Sequence, residues 1–545
     1  MSDSSEPSIP VENSLEPSIL MFSDIEGCQA DPVNPQTYTL CMPEFYAKIT
    51  EMLLNKPELE VAFLGDYFDQ GMRVYQSIVG LNTLLENAKI NNRVHVILGN
   101  RDINKLRFCY ELTYNLKLNE TIPPKEQQWS QWVDFYNGLN GKSGVELVKH
   151  ILDQSMGAKK KENGKMTGLY SFVPPDKLGT ATDEVALKYL RSAFGLEKPK
   201  LEGSLDIPEF FYKCKIAHVF NGKVLLAHGG GFDPEAFFDE NYVNSFNPVQ
   251  INYYTTLEEF RARLSTTEPE LTVKYDVNNS VDVYNNLLKT VLDQIKDEKK
   301  GITKEFLLLQ ALGLKPNSED ARYKSLIQSC SQDGCSGQTK PLSDDKNGER
   351  LSEILRNSGI THVSYGHKPV CFPVPLIYRR NDIANVTFIS NDTSNANRSV
   401  KEIGAGTAIG TSITFHSDGT HETMVKVITL DGNPESPVFK NYQHMFGPFT
   451  STNPAPIYSP YEVPSLQYGY IDTKTNQKNN KVLVMNPVGY NQLMYVGGKR
   501  RSRNRRGRRT SNNFKRSVLR IVSKRTKRNK YTKRNRKHYT DRKEK

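Results

Sequence analysis

Five short segments of this chain place acidic, amide or imidazole side chains beside glycine: Asp24-Ile25-Glu26-Gly27, Gly65-Asp66-Tyr67-Phe68-Asp69-Gln70-Gly71, Gly99-Asn100-Arg101-Asp102, His228-Gly229-Gly230 and Gly366-His367-Lys368-Pro369. Carboxylate, carboxamide and imidazole are the donors that hard to borderline divalent cations take, and two such ions can activate water and clamp a phosphoryl group. The neighbouring glycines permit tight turns and close backbone approach. Any one of these clusters reads more readily as a turn than as a ligand set. Five of them in one chain reverse that weighting.

The elements that must position them can be read from the apolar runs. Ile19–Phe22 ends in Ser23-Asp24, Val61–Leu64 in Gly65-Asp66, and Val94–Leu98 in Gly99-Asn100; each run reads as a buried strand. Helical spacing over Pro43–Asn55, about Arg73–Lys89, and after Asn104 separates them, which predicts parallel strands joined by crossover helices. Sheets of that kind gather ligands just past the C-terminal ends of their strands, where Asp24, Asp66 and Asn100 fall.

Two mostly helical insertions interrupt the alternation. The first, at about 120–215, has helical spacing over Gln127–Leu139, Gly144–Met156 and Asp183–Phe194; the second spans about 234–357. Between them, Lys215–Phe220 and Lys223–Ala227 read as a hairpin turning at Asn221-Gly222. Strands resume at His362–Tyr365, Val386–Ile389, Ser412–His416 and Met424–Leu430. The fold class expected is α/β, a layered β-sheet flanked by helices, with the insertions forming a cap. His95, His218 and His362, inside apolar runs, read as core histidines. Tyr67 and Phe68 read as pocket walls, and Trp129 and Trp132 as packing residues of the first insertion.

Taken in order, the five segments resemble the calcineurin-like metallophosphoesterase superfamily. Its pattern runs Asp-x-His, Gly-Asp-x-x-Asp, Gly-Asn-His-Asp/Glu, a lone His, and Gly-His-x-His; the Ser/Thr and diadenosine-polyphosphate phosphatase branch lacks the final His. The resemblance implies a calcineurin-like β-sandwich and a metal-dependent phosphatase that hydrolyses phosphate esters or anhydrides through a hydroxide between two divalent ions. It implies Mn²⁺ first, with Mg²⁺, Fe and Zn²⁺ as alternatives. One ion would be held by Asp24, Glu26 and Asp66, the other by Asp66, Asn100, His228 and His367. Asp69 and Asp392 would support the ligands from behind, and Asp102 would orient residue 101.

Four departures qualify the match. Glu26 stands where the pattern has His, which keeps a ligand but favours harder ions. Pro369 replaces the last His and turns the reading from nucleases toward the phosphatase branch. Gln70 replaces a phosphate-gripping arginine. Arg101 replaces the histidine thought to protonate the leaving group. Arginine stays protonated and cannot serve as a general acid, but its fork can bind phosphate and offset developing charge. Arg101 is therefore expected to take over the phosphate grip, with water delivering the proton. A second reading is a catalytically weak phosphate-binding module anchored to nucleic acid.

That second reading draws on the charge distribution. Of the formal net charge of +11, residues 499–545 carry +21, from 23 Lys and Arg against Asp541 and Glu544, which leaves −10 on the rest. An acidic body with a basic arm points to a polyanionic partner, nucleic acid first, with an acidic membrane surface or import receptor as alternatives. The phosphorylated substrate could be a protein, a nucleotide or an RNA end; oligomeric state is not legible. The domains expected are a disordered lead over 1–17, in which Glu-Pro-Ser-Ile occurs twice, a metallophosphoesterase domain over 18–445, a Pro- and Tyr-rich extension over 446–498, and a disordered tail over 499–545. Tyr495-Val496-Gly497-Gly498 with the arm that follows loosely resembles the C-terminal tails of some large DNA virus proteins.

No run of eighteen apolar residues occurs, and Met1–Pro10 is polar, acidic and proline-bearing. The expectation is an intracellular protein of cytoplasm or nucleus, or of a virion if viral. Seven scattered cysteines without zinc-type pairing, Cys330 and Cys335 included, are expected as free thiols in a reducing compartment.

Overall fold

The computed structural model describes residues 16–26, 41–68, 71–112, 144–154, 161–230, 277–297, 303–313, 354–367, 376–379, 386–392, 407–419 and 421–429, with a few isolated positions and short strands between 449 and 484. Strand β1 (Ser18–Phe22) is the pivot of the first sheet. Ile19, Leu20, Met21 and Phe22 are all buried, so the run is covered on both faces, as a continuous apolar strand should be. β1 pairs in parallel with β2 (Leu59–Leu64), aligning Leu20 with Val61, and β2 pairs in parallel with β3 (Val94–Ile97), aligning Phe63 with Val96. On its other side β1 runs antiparallel to β11 (Thr407–Phe415), which continues to β12 (His421–Thr429) and β13 (Phe449–Thr450).

The small hairpin β4 (Lys161–Glu162) and β5 (Lys165–Met166) stands apart in the first insertion. The second large sheet has eight strands. Its centre is β6 (Ala217–Phe220), β7 (Val224–Ala227), β8 (His362–Tyr365), β10 (Thr387–Ser390) and β9 (Leu376–Arg379), extended by β15 (Gly469–Asp472), β16 (Lys481–Val484) and β14 (Ile457–Tyr458). β7, β8 and β10 are parallel neighbours, and the flanks are antiparallel. The architecture is thus the expected α/β layering of sheets flanked by helices, with both sheets mixed rather than purely parallel. Lys215 joins the two sheets: its carbonyl accepts from Leu98 at 2.7 Å, and its N–H donates to Val96 at 2.8 Å.

The crossover helices follow from their apolar spacing. α1 (Pro43–Asn55) begins with proline at its first turn, where no N–H partner is needed, and buries Phe45, Tyr46, Ile49 and Leu53 on one face. α2 (Val74–Glu86) buries Val74, Ile78, Leu81 and Leu84. α3 (Asn100–Lys105) starts at Asn100, ahead of the start after Asn104 that the sequence spacing suggests. The reason is Asp102, whose carboxylate reaches back to the Gly99 N–H at 2.7 Å and caps the helix start. The β6–β7 hairpin closes with three residues between paired Phe220 and Val224, and Asn221 (φ 49°) and Gly222 (φ 63°) take the left-handed conformation that such turns require.

Both insertions brace the sheets. In the first, Gly144–Gln154 and Asp183–Ala193 are helical as expected, and Phe210, Phe211 and Phe172 pack their rings on Tyr67 and Phe68. In the second, the helix Val277–Lys296 presents Asn285, whose Oδ1 accepts from Ile216 N–H at 2.8 Å and Ala217 N–H at 3.3 Å, and whose Nδ2 donates to the Ala217 carbonyl. Gln127–Leu139, Trp129, Trp132, the lead over 1–15 and the tail over 499–545 lie outside the described residues. Among the described residues no helix is long and apolar enough to cross a membrane. Cys109 and Cys214 are free, as expected, and both are buried, whereas Cys41 is disulfide-bonded, against the expectation of free thiols.

The contact between α1 and α2 gives a direct test of packing. A Cβ on Gly80 would lie within 2.5 Å of three atoms of the buried Tyr46 ring. Gly80→Ala should lower stability, because overpacking of about 1–3 kcal/mol outweighs the roughly 1 kcal/mol that alanine adds in helix propensity. Chemical denaturation would register this as a lower midpoint; an unchanged or higher midpoint would mean that the helices separate freely.

Candidate metal centre

Each candidate ligand leaves the C-terminal end of a strand: Asp24 and Glu26 after β1, Asp66 after β2, Asn100 after β3, His228 after β7 and His367 after β8. Four of them adopt left-handed backbone, Asp24 at φ 50°, Glu26 at 47°, Asp66 at 55° and His367 at 73°. Non-glycine residues take that region at a cost, and such strain concentrates where a site over-determines the chain. The determining bonds run between the turns. Asp24 N–H donates to the Gly65 carbonyl at 3.1 Å, Glu26 N–H to the Asp66 carbonyl at 2.8 Å, and Gly366 N–H to the His228 carbonyl at 3.1 Å. His367 N–H donates to Asp24 Oδ2 at 3.1 Å, and the Ser23 hydroxyl bonds the same oxygen. Glycine is required at 99 and 366, because a Cβ would collide with Asp66 at the first and with Ser23 and Asp24 at the second.

Asp102 locks this arrangement from beneath. Its Oδ2 accepts from Asp66 N–H at 2.8 Å and Gly99 N–H at 2.7 Å, and its Oδ1 accepts from Tyr67 N–H at 2.8 Å. One fully buried carboxylate thereby ties the turn after β2 to the turn after β3. Burial and the nearby Asp66 charge push its pKa up to about 7, against the pull of the backbone donors.

Asp66, Asn100, His228 and His367 converge. Asp66, His228 and His367 each offer one ligand atom within 4.8 Å of the others. Asn100 Oδ1 lies 3.2 Å from His228 Nε2 and 3.0 Å from His367 Nδ1, adding an amide oxygen. His228 Nδ1 is 2.7 Å from the Leu64 carbonyl, which can only accept, so Nδ1 carries a proton and Nε2 faces the cluster, 3.3 Å from Asp66 Oδ1. A histidine oriented in this way by a backbone carbonyl is the usual support for a metal ligand. Two imidazoles, a carboxylate and an amide oxygen form a donor set that fits a borderline divalent ion.

The charges of the cluster are strongly interdependent. Burial disfavours the charged His228 imidazole, yet Asp66 and Asp24 raise its pKa to about 10. Burial likewise opposes ionised Asp66, but His228, Arg101 and His367 hold it well below the usual carboxylate range. Asp24 is pushed well above that range by burial and by the buried Asp392 beside it.

Arg101 stands over the other side of Asp66. Its Nη1 is 2.8 Å from Glu26 Oε1, its Nε 3.3 Å from Asp66 Oδ2, and its own N–H donates to Asp66 Oδ1 at 3.0 Å. The structure therefore brings Asp24, Glu26, Asp66, Asn100, Arg101, Asp102, His228, His367 and Asp392 into one neighbourhood. Asp69, Gln70 and Pro369 lie outside the described residues.

A second cluster escaped the sequence reading. His95 Nε2 is 2.5 Å from Glu60 Oε2, and its ring stacks on His218 at 3.9 Å and 21°. The three residues also bring ligand atoms within 4.8 Å of one another. Glu60 reaches His95 because β2 and β3 pair in parallel with Ala62 opposite His95, so that Glu60 is its diagonal neighbour on the same face. Near-parallel imidazoles cannot both aim a ring nitrogen at one ion without turning, and Lys215 Nζ stands 3.4 Å from His218 Nδ1. Burial lowers the pKa of both histidines, His218 to about 2. This cluster is better suited to neutral, stacked rings than to a metal.

No family model and no curated protein matches the chain. Among solved structures, it is similar to a cold-active protein-tyrosine phosphatase of a psychrophile Shewanella species, at 13% identity and a TM-score of 0.32, over 76% of this chain and 80% of that one. A mutant form of that enzyme gives 14% identity, the same TM-score and the same coverage. A protein serine/threonine phosphatase from Saccharomyces cerevisiae with similarity to human phosphatase PP5 gives 9% identity and a TM-score of 0.28, over 77% of this chain and 81% of that one.

The Asp102 lock is testable. Asp102→Ala leaves three buried N–H groups without their acceptor, at about 1–3 kcal/mol each, so a loss of several kcal/mol is expected. Asp102→Asn, which keeps one acceptor oxygen, should fall between. Thermal melts of the three proteins measure the order; an alanine variant that melts with the parent would remove Asp102 from this role.

Proposed function

We propose that the chain is a divalent-metal-dependent phosphoric-ester hydrolase. The observation that carries this reading is the convergence of Asp66, Asn100, His228 and His367 at strand ends beside a fixed arginine cation. A divalent ion there would supply Lewis acidity toward a phosphoryl oxygen and toward water. The chain's own groups do the rest. The Leu64 carbonyl fixes the imidazole of His228 through Nδ1, which leaves Nε2 turned toward Asp66 and Asn100 as a neutral donor. The Arg101 side chain is 31% exposed, at the edge of an otherwise buried cluster, where its charge would draw a phosphate dianion and offset charge on the transferring group.

Position 101 offers no proton, so the leaving oxygen must be protonated by water or depart as an anion. Esters and anhydrides with good leaving groups are the substrates this favours, and loss of a positioned general acid typically costs ~10²–10⁴ in rate for poor ones. Mn²⁺ is the preferred ion and the Ser/Thr phosphatase branch the preferred relation. The arm at 499–545 is read as a polyanion-binding segment that holds the enzyme near nucleic acid.

Turnover of a series of aryl phosphates with Mn²⁺ tests the mechanism: kcat/KM should fall steeply as the leaving-group pKa rises. A flat series would mean that another residue donates the proton. Bound Mn²⁺ with no turnover of any ester would favour the phosphate-binding module instead.

A further inference from the structure

The two oxygens of Asp66 face different cation positions. Oδ1 is directed at the His228 side, 3.3 Å from Nε2, whereas Oδ2 is 3.3 Å from Arg101 Nε. The same guanidinium reaches Glu26 Oε1 at 2.8 Å. Glu26 and Asp66 are two of the three carboxylates to which the family resemblance assigns a first metal ion. They are instead bridged by a side chain that cannot lose its charge.

Several constraints keep Arg101 there. It lies in the first turn of α3, its N–H is bonded to Asp66 Oδ1, and its neighbour Asp102 is locked onto three backbone amides. Glu26 and Asp66 are both almost wholly buried, so their charge needs a partner held in place. The two departures at positions 26 and 101 thereby explain each other: a carboxylate where an imidazole was expected is the natural partner of a guanidinium where another imidazole was expected. Among the described residues, the groups of three whose ligand atoms lie within 4.8 Å of one another include Asp66, His228 and His367 but none with Asp24 and Glu26.

We propose that Arg101 is a built-in cation in place of one of the two metal ions, so that the centre takes a single divalent ion, at Asp66, Asn100, His228 and His367. Asp66 then bridges a metal ion and a guanidinium rather than two metals. This rests on the metal-centre reading above and narrows it.

Metal stoichiometry decides the matter without reference to turnover. The full-length chain, stripped with chelator and equilibrated with Mn²⁺, should saturate at one ion per chain and give the electron paramagnetic resonance spectrum of isolated Mn²⁺. Arg101→Ala and Arg101→His should saturate at two, with the broadened spectrum of an exchange-coupled pair. His367→Ala should weaken binding of the single ion in the parent by at least the about 10–100-fold that loss of an outer-shell partner costs. Two coupled ions in the parent protein would overturn this inference while leaving the metal-centre reading intact; no bound ion would overturn both. If the Arg101 variants fail to fold, the parent stoichiometry and spectrum remain decisive.

Discussion

Five carboxylates, Asp24, Glu26, Asp66, Asp102 and Asp392, are buried within one cluster of strand ends, and the rest of the site is organised around offsetting them. Buried charge without compensation is costly, and the protein meets that cost in three ways. Asp102 is offset by backbone N–H donors from two turns. Asp66 is offset by an imidazole on one oxygen and a guanidinium on the other. Glu26 is offset by the same guanidinium, while Asp24 accepts from the His367 N–H and the Ser23 hydroxyl. The left-handed turns, the glycines at 99 and 366 and the early start of α3 all serve to bring these groups to such short distances.

This arrangement also sets what the site can do. A cluster whose charges are already partly balanced presents one well-formed donor pocket, on the His228 side, next to a permanent positive charge. That pairing suits a dianionic phosphoryl group better than a neutral substrate. Under the proposed function, a guanidinium at position 101 serves as a fixed cation and not as a general acid, since one residue cannot be both.

Much of the fold was legible because the local signals agreed. The apolar run before Asp24, the proline-started helix at 43–55 and the Asn221-Gly222 turn each carry a physical reason for their shape, and each appears where the spacing puts it. The antiparallel pairing of β1 with β11 and of β10 with β9 was not legible, because strand direction there depends on partners far away in the chain. The strands within 446–498 were equally hidden, since a Pro- and Tyr-rich composition signals an extension and not a pairing edge. At the site, the donor types and their order could be read. The pairing of Glu26 with Arg101 could not, because only the fold brings residues 75 positions apart within 2.8 Å. The Glu60–His95–His218 cluster was missed for the same reason, as its carboxylate comes from the neighbouring strand.

The bond from His228 Nδ1 to the Leu64 carbonyl joins β7 of one sheet to β2 of the other. The imidazole therefore acts as a rivet between the two layers as well as a donor within one of them. Any loosening of the sandwich, such as a void opened between the sheets far from the strand ends, would turn that ring before it unfolded the chain. In the proposed metal centre, grip on a cation would then report on interlayer packing as well as on the ligands themselves.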